Sequence, residues 1–571
     1  MLRRWWERWP GRLQHEQSAL EEAGIRHQLD GPAFEGGKVI LHLEVPQDGK
    51  PLRLEAHFPD VYPYTRFELI APDLDLPHHQ NPIAKNLCLI GRASSNWSVD
   101  DTLAGFIRDR LPDVLKAARS EDSSEAAGLE EHQAEPFSDY YPYEPGAILL
   151  IDSSWNINTT ISEGKLAIGI HGPPQPLVRG AVLEVVDLKG NTLAKADETF
   201  RELYINTIPG IWVRSKTALI GQRAQDIFDA VRNQSSSAKK AAWCPVKEGR
   251  IQVIGVLFPE ETGWRQVGDG WVFVVHFQGT RRGVGLQNTY YFARAGRAGR
   301  SDLAARTPRL KALSNKRVAV VGLGCMGAPS ALEFAKAGVG ELRLVDHDFV
   351  DPGTVSRWPL GLGTAGLPKA DALNLFIREH YPYTKVLTWT HMIGSAFNQK
   401  ESDLTVLNNL LQNIDLIYDA TAEGGVQYLL SDLARSNNIP YLSVSTTPGG
   451  WGGRVARVLP GPNKSCWMCL QHAEKSGAIS TPPADPGEPV QPAGCASPTF
   501  TGAGFDTMEP VLTAVRLAVA TLCSGNAEGY LDSDWDVGVL FLREPTGRVI
   551  APRWETFKIE RQPSCEVCTN K

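Results

Sequence analysis

Four of the nine cysteines form two Cys-x-x-Cys pairs, Cys466 with Cys469 in CWMC and Cys565 with Cys568 in CEVC. Two such pairs are the usual ligand pattern of a tetrahedral zinc ion in a closed, structural site. Nine cysteines in 571 residues are too few for a disulfide scaffold, and paired spacing in a reducing compartment favours metal over two redox pairs. The sequence therefore predicts a structural zinc site that ties the end of the chain to an earlier segment.

Two other cysteines, Cys88 and Cys495, stand apart from these pairs and could act as nucleophiles. The thiolate is the reactive form, so such a cysteine needs an accessible sulfur and an activating environment. Cys88 lies in the apolar run NLCLI, which by itself is typical of a core cysteine. Cys495 follows the proline-rich stretch TPPADPGEPVQPAG, which predicts an extended, mobile crossover. Its polar surroundings favour an exposed thiol.

A glycine-rich turn occurs in the stretch RVAVVGLGCMGAPSALEFAKAGVGELRLVD, which starts at residue 317. Gly322, Gly324 and Gly327 form a G-x-G-x-x-G pattern between a predicted strand and a predicted helix, and Asp346 ends the next strand. Such glycines let the backbone approach a phosphate at a helix N-terminus, and the acidic residue is placed to bond ribose hydroxyls. The pattern predicts a βαβ unit in a parallel sheet, and alone it fits an NAD-binding oxidoreductase as well as an ATP enzyme.

Residues farther along the chain separate these two alternatives. Arg357 and Lys369 lie within one helix-entry segment, and Asp419 ends the later predicted strand NIDLIYDAT. Two cations and a carboxylate suit ATP with magnesium. The order of these residues resembles the ThiF/MoeB/ubiquitin-activating adenylation family over residues 311–571, although Trp358 stands where that family usually has glutamine.

This resemblance implies a Rossmann-like adenylation fold that binds ATP and magnesium through the glycine loop and Asp346. In that family Arg357 and Lys369 would neutralise the leaving phosphates, and Asp419 would hold magnesium. The C-terminal carboxylate of a partner protein would attack the α-phosphate to give an acyl-adenylate. A cysteine in or after the crossover then takes the acyl group as a thioester or acyl disulfide, a role that falls on Cys495.

The amino-terminal segment contains FPDVYPYTRFELIAP, LPHHQNPIAKNLCLI and SSNWSVDDTL in that order. The Phe-Pro and Tyr-Pro pairs, Asn81, Cys88 with Leu89, and the Trp-Ser pair resemble the ubiquitin-conjugating fold over residues 1–120. The resemblance implies that Cys88 carries a thioester and that Asn81 donates a hydrogen bond to the oxyanion when an amine attacks. Asn81 is one residue closer to the cysteine than is usual in that family, and HHQN replaces the usual tripeptide. A loop-shaping role for Asn81 therefore stays open.

The hydrophobic pattern supplies the elements that position these residues. Alternating apolar residues predict three strands of an antiparallel meander, KVILHLEVP, LRLEAHFP and RFELIAP. A helix that covers this sheet is predicted to begin at the N-cap Ser98. Its apolar face consists of Leu103, Phe106, Ile107, Val114 and Leu115.

The chain is long enough for several domains and is predicted to be a multidomain α/β protein. An α+β ubiquitin-conjugating-like domain (1–120) would be followed by an acidic linker (121–145) and a middle α/β region (146–310). The adenylation domain with its zinc site would occupy residues 311–571. The middle region has no glycine-rich loop, which agrees with an inactive copy of an adenylation domain.

Composition excludes several classes of protein. Hydrophobic residues at 42% and charged residues at 22% are ordinary for a soluble protein, and no run of about 18 apolar residues could span a bilayer. A net charge of −7 without a long basic run argues against a nucleic-acid surface. The start of the chain lacks the apolar stretch of a secretory signal. A cytoplasmic enzyme without membrane or nucleic-acid partners is predicted.

The combination of both regions in one chain resembles bacterial fusion enzymes of antiphage signalling operons, the CD-NTase-associated proteins of CBASS systems. The resemblance implies a homodimer that adenylates a ubiquitin-like or CD-NTase-like partner. The partner would then pass through Cys495 and Cys88 to an amine on a target protein. Two alternatives remain open: a ThiF-like sulfur-transfer enzyme that uses Cys495 but not Cys88, and a nucleotide-binding module without turnover.

Overall fold

The computed structural model describes residues 3–47, 49–89, 97–120, 122–129, 132–221, 223–281, 285–396, 400–462, 464–487, 490 and 501–569. The chain divides into two compact units. The first comprises Met1–Asp197 and Tyr204–Gly299, and the second comprises Glu198–Leu203 and Arg300–Lys571. Within the described part of the chain, no helix combines the length and apolar character needed to cross a membrane.

The amino-terminal part of the first unit is an antiparallel sheet packed against helices. Its described strands pair in the order β1-β2-β3-β4, and β2 and β3 alternate buried and less buried residues along their length, as the sequence predicts. The elements are α1 (Trp5–Arg8), α2 (Pro10–Glu22), β1 (Arg26–Leu29), α3 (Gly31–Glu35), β2 (Val39–Val45), β3 (Leu52–Phe58), β4 (Glu68–Ile70), α4 (Leu103–Arg119) and α5 (Ser123–Ala126).

Helix α4 buries the face predicted from its sequence, but it begins later than predicted. The N-cap is Thr102, whose side chain accepts a hydrogen bond from the Gly105 N–H at 3.2 Å. The prediction that Ser98 is the N-cap is wrong. The Ser98 N–H donates to the Asp101 carboxylate at 2.7 Å, so these two residues form a turn before the helix and leave the cap to the next hydroxyl.

A larger mixed sheet forms the rest of the first unit. Its described strands follow the order β10-β11-β12-β13-β5-β7-β6-β9, and β8 pairs with β7. The strands β11, β12 and β13 are long and antiparallel, β11 also pairs with β9, and helix α7 packs against these long strands. The elements are β5 (Tyr143–Ile151), β6 (Glu163–Ile170), β7 (Arg179–Asp187), β8 (Thr192–Lys195), α6 (Glu198–Arg201, in the second unit), β9 (Asn206–Arg214), α7 (Ala224–Gln234), α8 (Ser236–Lys239), β10 (Cys244–Val246), β11 (Gly249–Gly263), β12 (Gln266–Arg281) and β13 (Gly285–Arg297).

The segment that composition predicts as an acidic linker makes specific contacts inside the first unit. Glu135 contacts His79 of the amino-terminal part, and the Glu135 N–H donates to Glu261 of β11 at 2.9 Å. Ser138, in a 3-10 helix at Phe137–Tyr140, donates its N–H and hydroxyl to Glu260. This segment therefore connects the loop that contains His79 to the larger sheet through hydrogen bonds to both.

The second unit is built on a sheet whose described strands follow the order β16-β15-β14-β17-β18-β19-β20-β21. The first five are parallel, and the last three continue the sheet antiparallel. Helices cover both faces. The elements are α9 (Arg300–Ala304), β14 (Arg317–Val321), α10 (Gly327–Lys336), β15 (Glu341–Asp346), α11 (Lys369–His380), β16 (Lys385–Thr390), α12 (Asp403–Leu411), β17 (Leu416–Asp419), α13 (Gly424–Ser436), β18 (Tyr441–Thr446), β19 (Gly452–Val458), α14 (Trp467–Lys475), α15 (Gly504–Leu522), β20 (Val537–Arg543), β21 (Val549–Phe557) and α16 (Glu566–Thr569), with 3-10 helices at Pro308–Asn315, Pro352–Thr354, Leu362–Thr364 and Pro448–Gly450.

Candidate active sites

The glycine-rich loop joins β14 to α10 and needs glycine at two of its three positions. Gly322 has φ +83°, a conformation that L side chains rarely adopt. A Cβ on Gly327 would lie 1.8 Å from the Gly322 carbonyl oxygen, so any side chain there would push the loop apart. A Cβ on Gly324 would meet no atom within 4 Å. The first and third glycines close the turn, and the second leaves open space over the backbone.

Asp346, at the end of β15, holds the same loop. One carboxylate oxygen accepts a hydrogen bond from the Leu323 N–H at 2.5 Å, and the other accepts from the Asp348 N–H at 2.7 Å. The Trp358 indole N–H donates to the Leu323 carbonyl at 2.9 Å. The tryptophan that replaces the family's usual glutamine therefore anchors the glycine loop from the other side.

The two predicted cations lie near this loop. Lys369 is the first residue of α11, and its Nζ is 2.8 Å from an Asp348 carboxylate oxygen. Arg357 lies against the start of α15, with its Nη1 3.4 Å from the Gly502 carbonyl oxygen. Burial raises the pKa of the Cys325 thiol, and the charges of Arg357 and Lys369 act in the opposite direction. Both cations thus act on one residue of the glycine loop.

Asp419, at the end of β17, is fully buried behind the loop. Its Oδ1 accepts hydrogen bonds from the Thr421 N–H at 2.9 Å and the Thr421 hydroxyl at 2.7 Å. Its Oδ2 accepts from the Tyr441 hydroxyl at 2.7 Å. Burial raises the pKa of Asp419, and these hydrogen bonds oppose the rise. A magnesium ion at Asp419 would share this carboxylate with these hydrogen-bond donors.

These residues converge because the fold brings strand ends together. Among the five parallel strands β14 is in the middle, with β15 and β16 on one side of it and β17 and β18 on the other. The strand order reverses at β14, and at such a point open α/β sheets form ligand crevices at the carboxyl ends of their strands. The arrangement can hold a nucleotide with its phosphates at the N-terminus of α10 and positive charge beside them.

The four cysteines of the two pairs lie together and are buried. The Cys466 sulfur is 3.8 Å from that of Cys469, 3.5 Å from that of Cys565 and 3.4 Å from that of Cys568. Zinc–sulfur bonds of about 2.3 Å in a tetrahedron require sulfur separations of about 3.8 Å. The Gln562 N–H also points at the Cys469 sulfur at 3.4 Å, as N–H groups around metal-bound thiolates do. The donor set and its size fit zinc.

Cys88 lies on a loop of the first unit, between two buried leucines, and is exposed. Its N–H donates to the His79 carbonyl oxygen at 2.8 Å. The Asn81 side-chain oxygen accepts from the N–H groups of Ile83 and Ala84, both at 2.9 Å. Asn81 therefore shapes the turn that leads to Cys88, and these contacts leave its amide nitrogen as the group able to donate to an oxyanion.

Cys495 lies outside the described residues, so the structure gives it no position. Three residues that the sequence did not single out take part in the sites. Thr421 and Tyr441 hold Asp419, and Glu135 contacts the loop of Cys88 through His79. The Asp-Ala-Thr sequence could have suggested Thr421 because a hydroxyl two residues after an aspartate often bonds back to it. No sequence pattern around Tyr441 or Glu135 indicates that either residue belongs to a site.

Comparisons with known families agree with this division of the chain. Residues 296–566 match the ThiF family, and residues 31–147 match the Prokaryotic E2 family B. Both matches fall on the regions that contain the nucleotide crevice and the Cys88 loop. The fusion of the two regions in one chain, and the Rossmann-like fold of the second unit, are therefore confirmed.

Individual proteins resemble either nearly the whole chain or about half of it. The uncharacterized protein y4oA of Sinorhizobium fredii is 31% identical over 98% of this chain and 97% of its own length. The adenylyltransferase and sulfurtransferase UBA4 of Yarrowia lipolytica is 24% identical over 45% of this chain and 56% of its own length. The crystal structure of E. coli MccB covers 48% of this chain and 73% of its own, with 14% identity and a TM-score of 0.35.

Proposed function

Because the chain belongs to the same family as y4oA and joins a Prokaryotic E2 family B region to a ThiF family domain, we propose that it is an ATP-dependent protein-conjugating enzyme. The observation that carries this proposal is the presence, in one chain, of a glycine-rich turn at the N-terminus of α10 and of an exposed cysteine in the region that matches the Prokaryotic E2 family B. The first can activate a carboxylate, and the second can accept the activated acyl group.

In the first step, a partner protein's C-terminal carboxylate attacks the α-phosphate of ATP and pyrophosphate leaves. The Gly322–Gly327 loop and the N-terminus of α10 would hold the phosphates, and Arg357 and Lys369 would stabilise the charge that develops on them. Asp346 would accept hydrogen bonds from the ribose hydroxyls while it also orders the loop through the Leu323 N–H. When bound near Asp419, magnesium would neutralise phosphate oxygens.

In the later steps, the acyl group moves to cysteine and then to an amine. We propose Cys495 as the relay thiol of the adenylation region and Cys88 as the thiol from which a target amine takes the acyl group. Attack of each thiolate on the acyl carbon expels AMP or the previous thiolate, and attack of the amine expels the Cys88 thiolate. Asn81 is proposed as the donor to the oxyanion of this last step.

The four-cysteine cluster is proposed as a structural zinc site. It would tie α14 to α16 and so stabilise the second unit. Zinc would hold the four sulfurs as thiolates, whereas burial alone raises the pKa of Cys466. A homodimer and a role in antiphage defence remain proposals based on the resemblance to CBASS-associated fusions.

The test is ATP–pyrophosphate exchange by the full chain, with and without the protein encoded beside this gene. We expect exchange that requires this protein and its intact C-terminal carboxylate. Failure of exchange with any candidate partner would favour a nucleotide-binding module.

The sulfur-transfer alternative is supported by the similarity to UBA4 and differs from conjugation at one residue. A sulfur-transfer enzyme would retain full activity after Cys88→Ala. The conjugating enzyme would keep pyrophosphate exchange and lose the final conjugate.

A further inference from the structure

The loop that carries Cys88 contains a residue in an unusual backbone conformation. His79 has φ +62°, in the left-handed region that few residues other than glycine adopt. From this position its carbonyl oxygen accepts the Cys88 N–H at 2.8 Å. Non-glycine residues in this region persist only where surrounding contacts hold them, and they cluster at functional sites. The contact that holds the His79 backbone therefore also affects the position of Cys88.

Glu135 supplies that contact with both oxygens of its carboxylate. One oxygen accepts the His79 backbone N–H at 2.6 Å, and the other lies 3.2 Å from the His79 Nδ1. Both side chains are largely shielded from solvent, with 14% of His79 and 18% of Glu135 exposed. Burial works to raise the pKa of Glu135, but the hydrogen bonds and charge of His79 outweigh it and the pKa is lowered. The carboxylate is therefore ionised and paired near neutral pH.

Glu135 is itself fixed by the larger sheet of the first unit. Its N–H donates to Glu261 of β11 at 2.9 Å, and the same Glu261 carboxylate lies 3.6 Å from His78 Nδ1. Three residues later, Ser138 bonds to Glu260. Two adjacent carboxylates of β11 thus hold the segment that holds the Cys88 loop.

A second residue of the same segment, Tyr140, interacts electrostatically with Cys88. Tyr140 ends the 3-10 helix that follows Glu135. Burial raises the pKa of the Tyr140 phenol, and the charges of Glu135 and Cys88 raise it further. The phenol therefore stays protonated at neutral pH.

We propose that Glu135 is a positioning residue for the reaction of Cys88, acting through His79. It fixes the left-handed His79 backbone from which the Cys88 amide is anchored, and so sets the direction of the thiol. The E2-like thiol site is then completed by a segment that follows α4 and α5 and is fixed to β11. This inference rests on the proposed function, because it assigns Glu135 a part in a reaction at Cys88.

The test uses the full-length protein without ATP or partner, so it is independent of conjugation. Hydrogen exchange is measured at the amides of His79 and Cys88, and iodoacetamide alkylation at Cys88 is followed against pH by peptide mass spectrometry. In Glu135→Ala we expect both amides to exchange about tenfold faster, as the loss of one hydrogen bond to a charged group implies. We also expect the alkylation profile of Cys88 to shift while Cys244 stays unchanged.

Two further variants separate positioning from a general loss of structure. Glu135→Gln keeps an oxygen for the His79 N–H and should restore both amides and the alkylation profile to within about threefold of the wild type. Glu125→Ala removes an exposed carboxylate that pairs with Lys116 at 3.1 Å and should change neither. If Glu135→Ala does not fold, His79→Gly should retain Cys88 amide protection and His79→Val should lose it, because glycine adopts φ +62° without steric cost and a β-branched residue does not.

Unchanged exchange and alkylation in Glu135→Ala would overturn the proposal. So would equal losses in Glu135→Gln and Glu135→Ala, because anchoring needs only an acceptor oxygen. Absence of a thioester at Cys88 in the wild type would instead contradict the proposed function, and the exchange measurements would still report whether Glu135 holds the loop.

Discussion

The nucleotide crevice of the second unit and the Cys88 loop of the first unit are ordered in different ways. In the crevice, Gly322 and Gly327 close a turn between adjacent elements, and Asp346 ties that turn to the next strand. At Cys88, the ordering contacts come from Glu135, 56 residues from His79 in the chain. The glycine turn is closed within its own βαβ unit, whereas the cysteine loop is also held by a distant segment.

This difference suggests how the two sites tolerate change. The crevice carries charge at fixed strand and helix ends, so single substitutions should alter one contact each. Cys88 is exposed, and its loop is held by a series of hydrogen bonds that runs through Glu135 and His79. A substitution at Glu135 should therefore change the amide exchange and alkylation of Cys88. The following predictions, from the largest expected effect to the smallest, test this contrast.

Gly327→Ala should abolish ATP–pyrophosphate exchange. The new Cβ would lie 1.8 Å from the Gly322 carbonyl oxygen, and overpacking of this kind costs about 1–3 kcal/mol or more while it opens the phosphate turn. Gly324→Ala is the matched control, since its Cβ meets no protein atom within 4 Å. It should leave the midpoint of urea unfolding unchanged. If the two variants had equal effects on the exchange rate and on the urea midpoint, the turn would not be close-packed.

Asn81→Asp should slow discharge of the Cys88 thioester to an amine by about 10²–10³-fold, the usual cost of an oxyanion donor. The aspartate keeps an oxygen for the Ile83 and Ala84 N–H groups and loses only the amide donor. Thioester formation should continue. Single-turnover chase of a preformed thioester measures the two steps separately. If Asn81→Asp discharges the thioester at the wild-type rate, Asn81 shapes the loop and is not an oxyanion donor.

Lys369→Gln should lower pyrophosphate exchange by about 10²-fold, because it removes one preorganised charge from the phosphate end of the crevice. Lys385→Gln is the control. That lysine is exposed and pairs with Glu341 at 3.4 Å, a surface contact of about 0–1 kcal/mol. Steady-state exchange against ATP concentration would check both, and equal rates for the two variants would argue against phosphate contact by Lys369.

Cys466→Ser should remove bound zinc and lower the urea midpoint of the second unit. At low temperature, where the variant stays folded, it should have the smallest effect of the four variants on ATP–pyrophosphate exchange. For a site of this kind, the free energy of metal binding contributes directly to the free energy of folding, because the unfolded chain has no preformed site. Elemental analysis of the purified chain should give one zinc in the wild type and in the control Cys244→Ser. A wild-type protein without zinc, with all four thiols open to alkylation, would contradict the assignment.

The parts of the fold that the sequence predicts correctly depend on local chemistry. The apolar residues of α4 repeat at helical spacing, and the structure buries them on one face of the helix, as predicted. The glycine pattern locates the phosphate turn because the steric demand at Gly322 and Gly327 is local. The start of α4 shows the limit: Ser98 and Thr102 are both capping residues, and a hydrogen bond to Asp101 decides between them.

The parts that could not be predicted depend on contacts between distant segments. Nothing near Tyr441 shows that its hydroxyl meets Asp419, because the two residues lie on neighbouring parallel strands. Glu135 belongs to a stretch whose acidic, Ser-rich composition predicts a linker. Its role at His79 becomes visible only when β11 supplies Glu261 behind it.

The central claim is that Cys88 receives an acyl group activated at the nucleotide crevice. The most direct measurement is intact and peptide mass spectrometry of the full chain after incubation with ATP, magnesium and the protein encoded beside this gene. A covalent partner adduct should map to Cys88, disappear on treatment with thiol and be absent from Cys88→Ala, while Cys495→Ala tests the relay alone. Pyrophosphate exchange without any thiol-sensitive adduct at Cys88 would contradict the claim.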